Sequence, residues 1–150
     1  MVTEIVGIGK LVPKGIYVDR LDNSLLPMDA TSTIVEKTFT SPVLLKNLVI
    51  GCSHDGVVFY VYLKDQEGND KIITHNIVGA HFPYGLAALR LNGLNVEKEE
   101  GLFKLIHYNS GGDCNFYLKT PLWCFGWKIV ASNGTGGDVY VGYRIVAELY

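Results

Sequence analysis

The densest group of potentially reactive side chains is the run Cys52–Asp55, which places a thiol, a hydroxyl, an imidazole and a carboxylate side by side. On an extended strand Cys52 and His54 would share one face and could supply two metal ligands. A structural zinc site needs four ligands and a catalytic one three. A nucleophilic thiolate needs an electropositive setting, and no basic residue lies nearby in sequence. Because Asp55-Gly56 is a favoured hairpin pair, we interpret the run as a strand end and a turn.

The other candidate metal ligands also lack the expected spacing. His75 and His81 are six residues apart and the chain contains no H-x-H pair, by which a strand directs two imidazoles at one metal. The loop Asp65–Asp70 alternates oxygen ligands, but its sixth position is Asp70 where a calcium loop needs glycine. We predict a solvated hairpin loop there, which leaves a weak surface calcium site open. Since no nucleophile, base and orienting group can be identified, we expect no cofactor, no metal centre and no enzyme.

Aromatic side chains form the second candidate group. Trp123, Phe125 and Trp127 are spaced by two, so on a regular strand all three would lie on one face. Trp127 opens an apolar strand and is expected in the core, whereas the sequence leaves the exposure of Trp123 open. Exposed aromatic rings stack on sugars or contact other proteins. The candidate surface or ligand-binding aromatics are therefore Trp123, Tyr117 and Tyr84.

These side chains must be positioned by strands, because period-two alternation recurs along the chain. Val57–Lys64 alternates between an apolar face and a face with two tyrosines and a lysine, and Asp138–Tyr150 alternates throughout. Ser32–Phe39 and Val43–Ile50 read as two strands separated by a break at Pro42. Further strands are predicted at Lys71–Val78, Leu102–Tyr108, Asn115–Pro121 and Gly126–Ser132, while Pro83–Gly101 is left open between a short helix and a hairpin.

The chain has 150 residues, which suits a single domain, and 48% of them are hydrophobic. An open sheet of this composition would expose one apolar face, whereas two packed sheets bury it. The sequence therefore predicts an all-β fold: a two-sheet antiparallel β-sandwich of jelly-roll type, with about eight strands and little helix. Residues 33–150 would form the sandwich domain, and residues 1–32 an N-terminal arm or its first strands.

Charge and cysteine usage exclude several classes of protein. The net charge is −2 and no basic run occurs, so a nucleic-acid partner is not expected. The three cysteines show no C-x-x-C spacing and are predicted to be free buried thiols, as in a reducing cytoplasm. The N-terminus lacks the pattern of a signal peptide, and no apolar run reaches the roughly 20 residues of a membrane span. We therefore expect a cytoplasmic protein without signal peptide or membrane span.

Two stretches carry a resemblance to a known class. Thr31–Asn69 combines a β-branched strand, a bend at a proline and a tyrosine-rich hairpin, and Gly126–Tyr150 ends the chain with a strand returning through a glycine loop. In these features the chain resembles small jelly-roll structural proteins of virions, such as capsid, decoration and spike-head domains. The resemblance implies a non-enzymatic virion protein that binds copies of itself, for example as a trimer, and neighbouring shell proteins. The alternative hypothesis is a carbohydrate-binding β-sandwich module with glycan partners.

Overall fold

The computed structural model describes residues 12–74, 85–88, 99–100 and 102–150. The strands of this part of the chain are β1 (Gly15–Leu26), β2 (Thr31–Cys52), β3 (Val57–Lys64), β4 (Asp70–Ile72), β5 (Glu99–Glu100), β6 (Phe103–Tyr108), β7 (Cys114–Leu118), β8 (Leu122–Asn133) and β9 (Val139–Leu149). Their pairings are antiparallel, which confirms the all-β antiparallel prediction. Among the described residues no helix is long and apolar enough to cross a membrane.

The strands form one open, continuously hydrogen-bonded sheet. Its main order is β4-β3-β8-β2-β7-β6-β5, while β9 pairs with β2 and β1 pairs with β9. The first part of β2 pairs with β8, and its last part lies between β7 and β9. The long strand β2 therefore joins two halves of the sheet. Because the sheet is open, the predicted two-sheet jelly-roll arrangement is not confirmed.

The predicted strands Ser32–Phe39 and Val43–Ile50 are one strand of 22 residues. The expected break at Pro42 is instead an irregularity, because the register with β8 shifts between Thr38 and Val43. A proline has no N–H to donate to a ladder and is tolerated at such a bulge. β2 can therefore bend at this point without ending.

The core follows the predicted alternation. On β9, Val139, Val141, Tyr143, Ile145 and Ala147 are all buried, and the corresponding apolar face of β3 is buried as well. The rings of Phe59 on β3 and Phe116 on β7 lie edge to face with centroids 6.4 Å apart. Because β3 and β7 are not neighbours in the sheet, this contact shows that the sheet curves and brings its apolar faces into one core.

Strand β1 is attached to this core by its inward side chains. The ring of Tyr17 lies 5.3 Å from that of Phe39 and 5.8 Å from that of Trp127. The hydroxyl of Tyr143 donates to the carboxylate of Asp19 at 3.0 Å, and burial together with this bond raises the pKa of Tyr143 to about 12. One face of β1 is thus held against the core while the other faces outward.

The buried side chain of Asn133 fixes the turn between β8 and β9. Its amide group donates to the carbonyl oxygens of Leu26, Pro27 and Gly137, and its own oxygen accepts from Thr135. Five polar groups, three carbonyl oxygens and the N–H and hydroxyl of Thr135, are satisfied by one side chain. This asparagine therefore joins the end of β1 to the glycine loop before β9.

Candidate functional site

In the Cys52–Asp55 run, Cys52 is the last residue of β2 and the other three residues lie in the turn that leads to β3. The predicted turn is present, but it does not connect a hairpin, because β3 pairs with β8 and β4 and not with β2. Within this turn the side chain of Asp55 is directed inward and is only 2% exposed. Its carboxylate accepts hydrogen bonds from the Tyr108 hydroxyl at 2.9 Å and the Gly111 N–H at 3.1 Å. These bonds tie the connection to the β6–β7 turn.

The neighbouring groups are also engaged in structure. Nδ1 of His54 accepts a hydrogen bond from the Gly56 N–H at 3.0 Å, so it helps to close the turn. Cys52 is buried and faces Cys114 across β2 and β7; contact with that thiol and burial raise the pKa of Cys52. A protonated thiol is a poor nucleophile. In the described residues, no group of three His, Cys, Asp or Glu side chains could hold a metal; His75 and His81 lie outside them.

The two tryptophans lie on opposite faces of β8. Trp127 is 1% exposed and sits in the core, as predicted, whereas Trp123 is 52% exposed. The shared face that a regular strand would give does not form, because the alternation is interrupted at Gly126, which adopts a φ of 141°. Buried positions are even-numbered before this glycine and odd-numbered after it. Of the other candidate aromatics, Tyr117 is half-buried on β7 and Tyr84 lies outside the described residues.

The exposed Trp123 belongs to a row of outward-facing side chains that crosses four strands. The strand registers place Ile16 opposite Glu148, Glu148 opposite Leu44, and Leu44 opposite Trp123. At one end of the row the ring of Trp123 packs 5.0 Å from that of Tyr150. In the next row Val18 lies opposite Val146. We call this surface the outer apolar face; its members are Ile16, Val18, Leu44, Trp123, Val146 and Tyr150.

The most exposed part of this face is strand β1. Ile16 and Val18 are each 58% exposed, which is unusual for two β-branched residues on the same strand face. Within the described part of the chain β1 pairs only with β9, so among these residues its other edge has no strand partner. The first part of β1, Gly15–Leu21, is regular, and a register shift follows between Leu21 and Ser24. Such an apolar, regular edge is a template for contact with another chain.

The single charge within the face is compensated locally. Glu148 accepts a hydrogen bond from the Tyr150 hydroxyl at 2.8 Å and lies 3.9 Å from the Lys46 ammonium. That bond and burial raise the pKa of Tyr150. Burying a carboxylate that has two partners costs less free energy than burying an isolated one. The face can therefore be buried against a second surface.

A groove of about 370 Å³ adjoins Trp123 on its other side. Leu63, Ile73 and Phe125 supply apolar walls, and Gln66 and Lys71 contribute polar groups. An exposed indole beside such a groove is a feature shared by protein-contact and sugar-binding surfaces. Sequence reasoning identified Trp123, but it missed Ile16 and Val18, because alternation alone does not show which strand lies at an edge.

Comparison with known proteins assigns no family, since no family model and no curated protein matches the chain. Among solved structures, the SPBc2 prophage-derived protein YomS is 12% identical, with a TM-score of 0.41, over 91% of this chain and 99% of that one. PirA is 9% identical, with a TM-score of 0.39, and the match covers 91% of this chain and 97% of PirA. The protein of infectious bursal virus derived T=1 particles is 12% identical, with a TM-score of 0.29, and the match covers 91% of this chain and 41% of that one. The neighbours thus include a prophage protein and a viral particle protein, but all three TM-scores are too low to assign a role.

Proposed function

We propose that the protein is a non-enzymatic structural protein that assembles through its outer apolar face with copies of itself and with neighbouring shell proteins of a virion. The observation that carries the proposal is the exposure of Ile16 and Val18 on the edge strand β1, continuous with Trp123 across four strands. Contiguous apolar surface of this kind marks interaction sites on soluble proteins. We also propose that the curved sheet has the arrangement of a jelly roll.

The composition of the face suits a protein contact. The centres of interfaces are depleted in charge and enriched in aromatic residues, and here an indole, a phenol and four aliphatic side chains surround one compensated carboxylate. Burying an aliphatic side chain stabilises a complex by roughly 1.5–3 kcal/mol when it is fully removed from water. Ile16, Val18 and Trp123 therefore offer enough apolar surface to act as the anchors of a specific contact.

The test is a matched pair of substitutions followed by sedimentation velocity. Ile16→Lys places a charge in the outer apolar face, whereas Ile106→Lys places one at an equally exposed isoleucine (50%) on β6, outside it. We expect the wild type and the Ile106→Lys variant to form the same oligomer and the Ile16→Lys variant to dissociate. Both positions are on the surface, so neither variant should unfold. Equal oligomers for all three proteins would contradict the proposed face.

A second candidate function is glycan recognition around Trp123, favoured by the apolar groove that adjoins its exposed indole. Stacking of a sugar ring on an aromatic side chain needs such an exposed platform with polar groups near it. Trp123→Ala would abolish glycan-array binding if this function holds. Retention of the oligomer with loss of glycan binding would favour this candidate over assembly, and the reverse outcome would favour assembly.

A further inference from the structure

A second row of outward-facing side chains, which crosses β1, β9, β2, β7 and β6, is strongly basic. Arg20 on β1 lies directly opposite Arg144 on β9, and the row continues through Val49 and Tyr117 to Lys104 on β6. Like charges directly opposite each other destabilise a sheet. Arg20 is paired with Asp22 at 3.0 Å, but among the described residues Arg144 has no ion pair. The arrangement thus leaves a guanidinium free for an anion.

The next row along the strands has no side chains at its centre. Gly51 on β2 and Gly142 on β9 lie directly opposite each other and line a depression in the sheet surface, into which the Asn115 side chain and the Leu21 carbonyl oxygen extend. A Cβ atom on Gly142 would come 2.6 Å from the carbonyl oxygen of Leu21, and one on Gly51 would collide with the side chain of Asn115. The bulge of β1 therefore overhangs this depression. We call it the glycine groove; its volume is about 500 Å³.

The remaining walls of the glycine groove supply hydrogen-bonding groups and one exposed ring. Asn115 and His107 continue the glycine row on β7 and β6. On the other side lie Ser53 and Tyr140, and Tyr140 is 48% exposed. The Ser53 oxygen accepts a hydrogen bond from the Tyr140 N–H at 2.9 Å, which leaves its O–H free to donate. Asp113 also lines the groove and can accept hydrogen bonds from hydroxyl groups.

We propose that the glycine groove binds an acidic sugar, with its carboxylate on Arg144 and its ring beside Tyr140. An Arg guanidinium forms strong, bidentate hydrogen bonds with a carboxylate. The amide of Asn115, the Ser53 hydroxyl and the Asp113 carboxylate would receive the ring hydroxyl groups. The volume suits one or two sugar rings, since small-molecule sites commonly measure about 300–1,000 Å³. This site lies apart from Trp123 and from Ile16, and it does not rest on the proposed assembly.

The experiment is a titration followed by two-dimensional NMR of backbone amides, with galacturonic acid and galactose as probes. The two sugars differ only at C6, where galacturonic acid has a carboxylate and galactose a hydroxymethyl group. The Gly51 and Gly142 amides report on the groove directly. We expect galacturonic acid to shift these resonances and to bind at least about tenfold more tightly than galactose. Arg144→Gln should weaken galacturonic acid binding at least about tenfold, whereas Lys14→Gln, which removes an exposed charge outside the groove, should not.

Three results would overturn the proposal. They are the absence of any shift at millimolar galacturonic acid, equal affinity for galactose, and unchanged binding by the Arg144→Gln variant. If acetate matched galacturonic acid, the groove would be a plain anion site and the sugar assignment would be wrong. Sedimentation of the same samples reports on assembly separately, so failure of either proposal is distinguishable from failure of the other.

Discussion

The ammonium group of Lys64 lies 2.8 Å from the Glu36 carboxylate and 2.9 Å from the Asp70 carboxylate, although the Lys64 side chain is only 7% exposed. Asp70 also accepts from Lys128 at 3.1 Å, and Lys128 lies over the ring of Tyr62. These side chains join β2, β8, β3 and β4 on the outer side of the sheet. Their position explains why a lysine can be buried here, since each charge has a partner.

The first prediction concerns pH. The Lys64 ammonium, and to a lesser degree Lys128, holds the pKa of Asp70 below its ordinary value of 3.8. A carboxylate with a lowered pKa stabilises the folded state above that ordinary value, and the stabilisation is lost as the pH falls through the folded-state pKa. We expect the Tm to fall below about pH 4, and to fall less steeply in Asp70→Asn. Thermal unfolding from pH 7 to pH 2 checks this, with Glu67→Gln in the same hairpin as control; identical slopes for Asp70→Asn and wild type would refute it.

The second prediction concerns the glycine that separates the two tryptophans. Gly126→Ala introduces a Cβ that collides with the Lys37 carbonyl oxygen at a φ that favours glycine. We expect it to lower the free energy of unfolding by about 2–4 kcal/mol. Gly134→Ala, where a Cβ meets nothing within 4 Å, should change it by no more than about 0.5 kcal/mol. Urea denaturation measures both; a Gly126→Ala variant as stable as Gly134→Ala would show that the bulge is not required.

The third prediction tests the structural role of Asp55. Asp55→Ala leaves the Gly111 N–H and the Tyr108 hydroxyl without their common acceptor, and we expect a loss of about 2–3 kcal/mol of unfolding free energy. His54→Ala removes a side chain that is 38% exposed and whose Nδ1 accepts from the Gly56 N–H and lies 3.3 Å from the Asp55 carboxylate, so its cost should stay below about 1 kcal/mol. The midpoints of urea denaturation of the two variants test which side chain stabilises the turn more. A larger effect for His54→Ala would mean that the imidazole, and not the carboxylate, organises the turn.

The fourth prediction concerns the thiols. All three cysteines are free and buried, and burial raises the pKa of Cys124. Since only an accessible thiolate reacts readily, we expect fewer than one thiol per chain to react with a disulfide reagent in the native state within minutes. All three should react after unfolding in guanidinium chloride. Rapid reaction of two or more native thiols would contradict the burial of Cys52 and Cys114 opposite each other.

Much of the fold follows from two-residue alternation, because the periodicity of β3 and β9 fixes which side chains face the core. The same rule failed between Trp123 and Trp127, since one glycine in a bulge reverses the alternation and the sequence alone does not reveal its φ. It also failed at Asp55-Gly56, whose turn chemistry does not specify which strands pair. The Asp55 carboxylate instead bonds two groups that are distant in sequence, the Tyr108 hydroxyl and the Gly111 N–H.

The candidate surfaces were less predictable than the fold. Trp123 could be identified as a candidate from the sequence, because a tryptophan just after a proline is a candidate for a surface position. The exposure of Ile16 and Val18, in contrast, depends on the position of β1 at the edge of the described sheet. The opposition of Arg20 to Arg144, and of Gly51 to Gly142, depends on the registers of three strands that are far apart in sequence. Neither relationship is encoded in a local pattern.

Sedimentation velocity of the wild-type protein shows whether the outer apolar face is a contact surface. Over a series from low to high micromolar concentration, we expect a defined oligomer, or a reversible shift toward one, that the Ile16→Lys variant does not show. A wild-type protein that remains a strict monomer throughout the series, indistinguishable from Ile16→Lys, would contradict it.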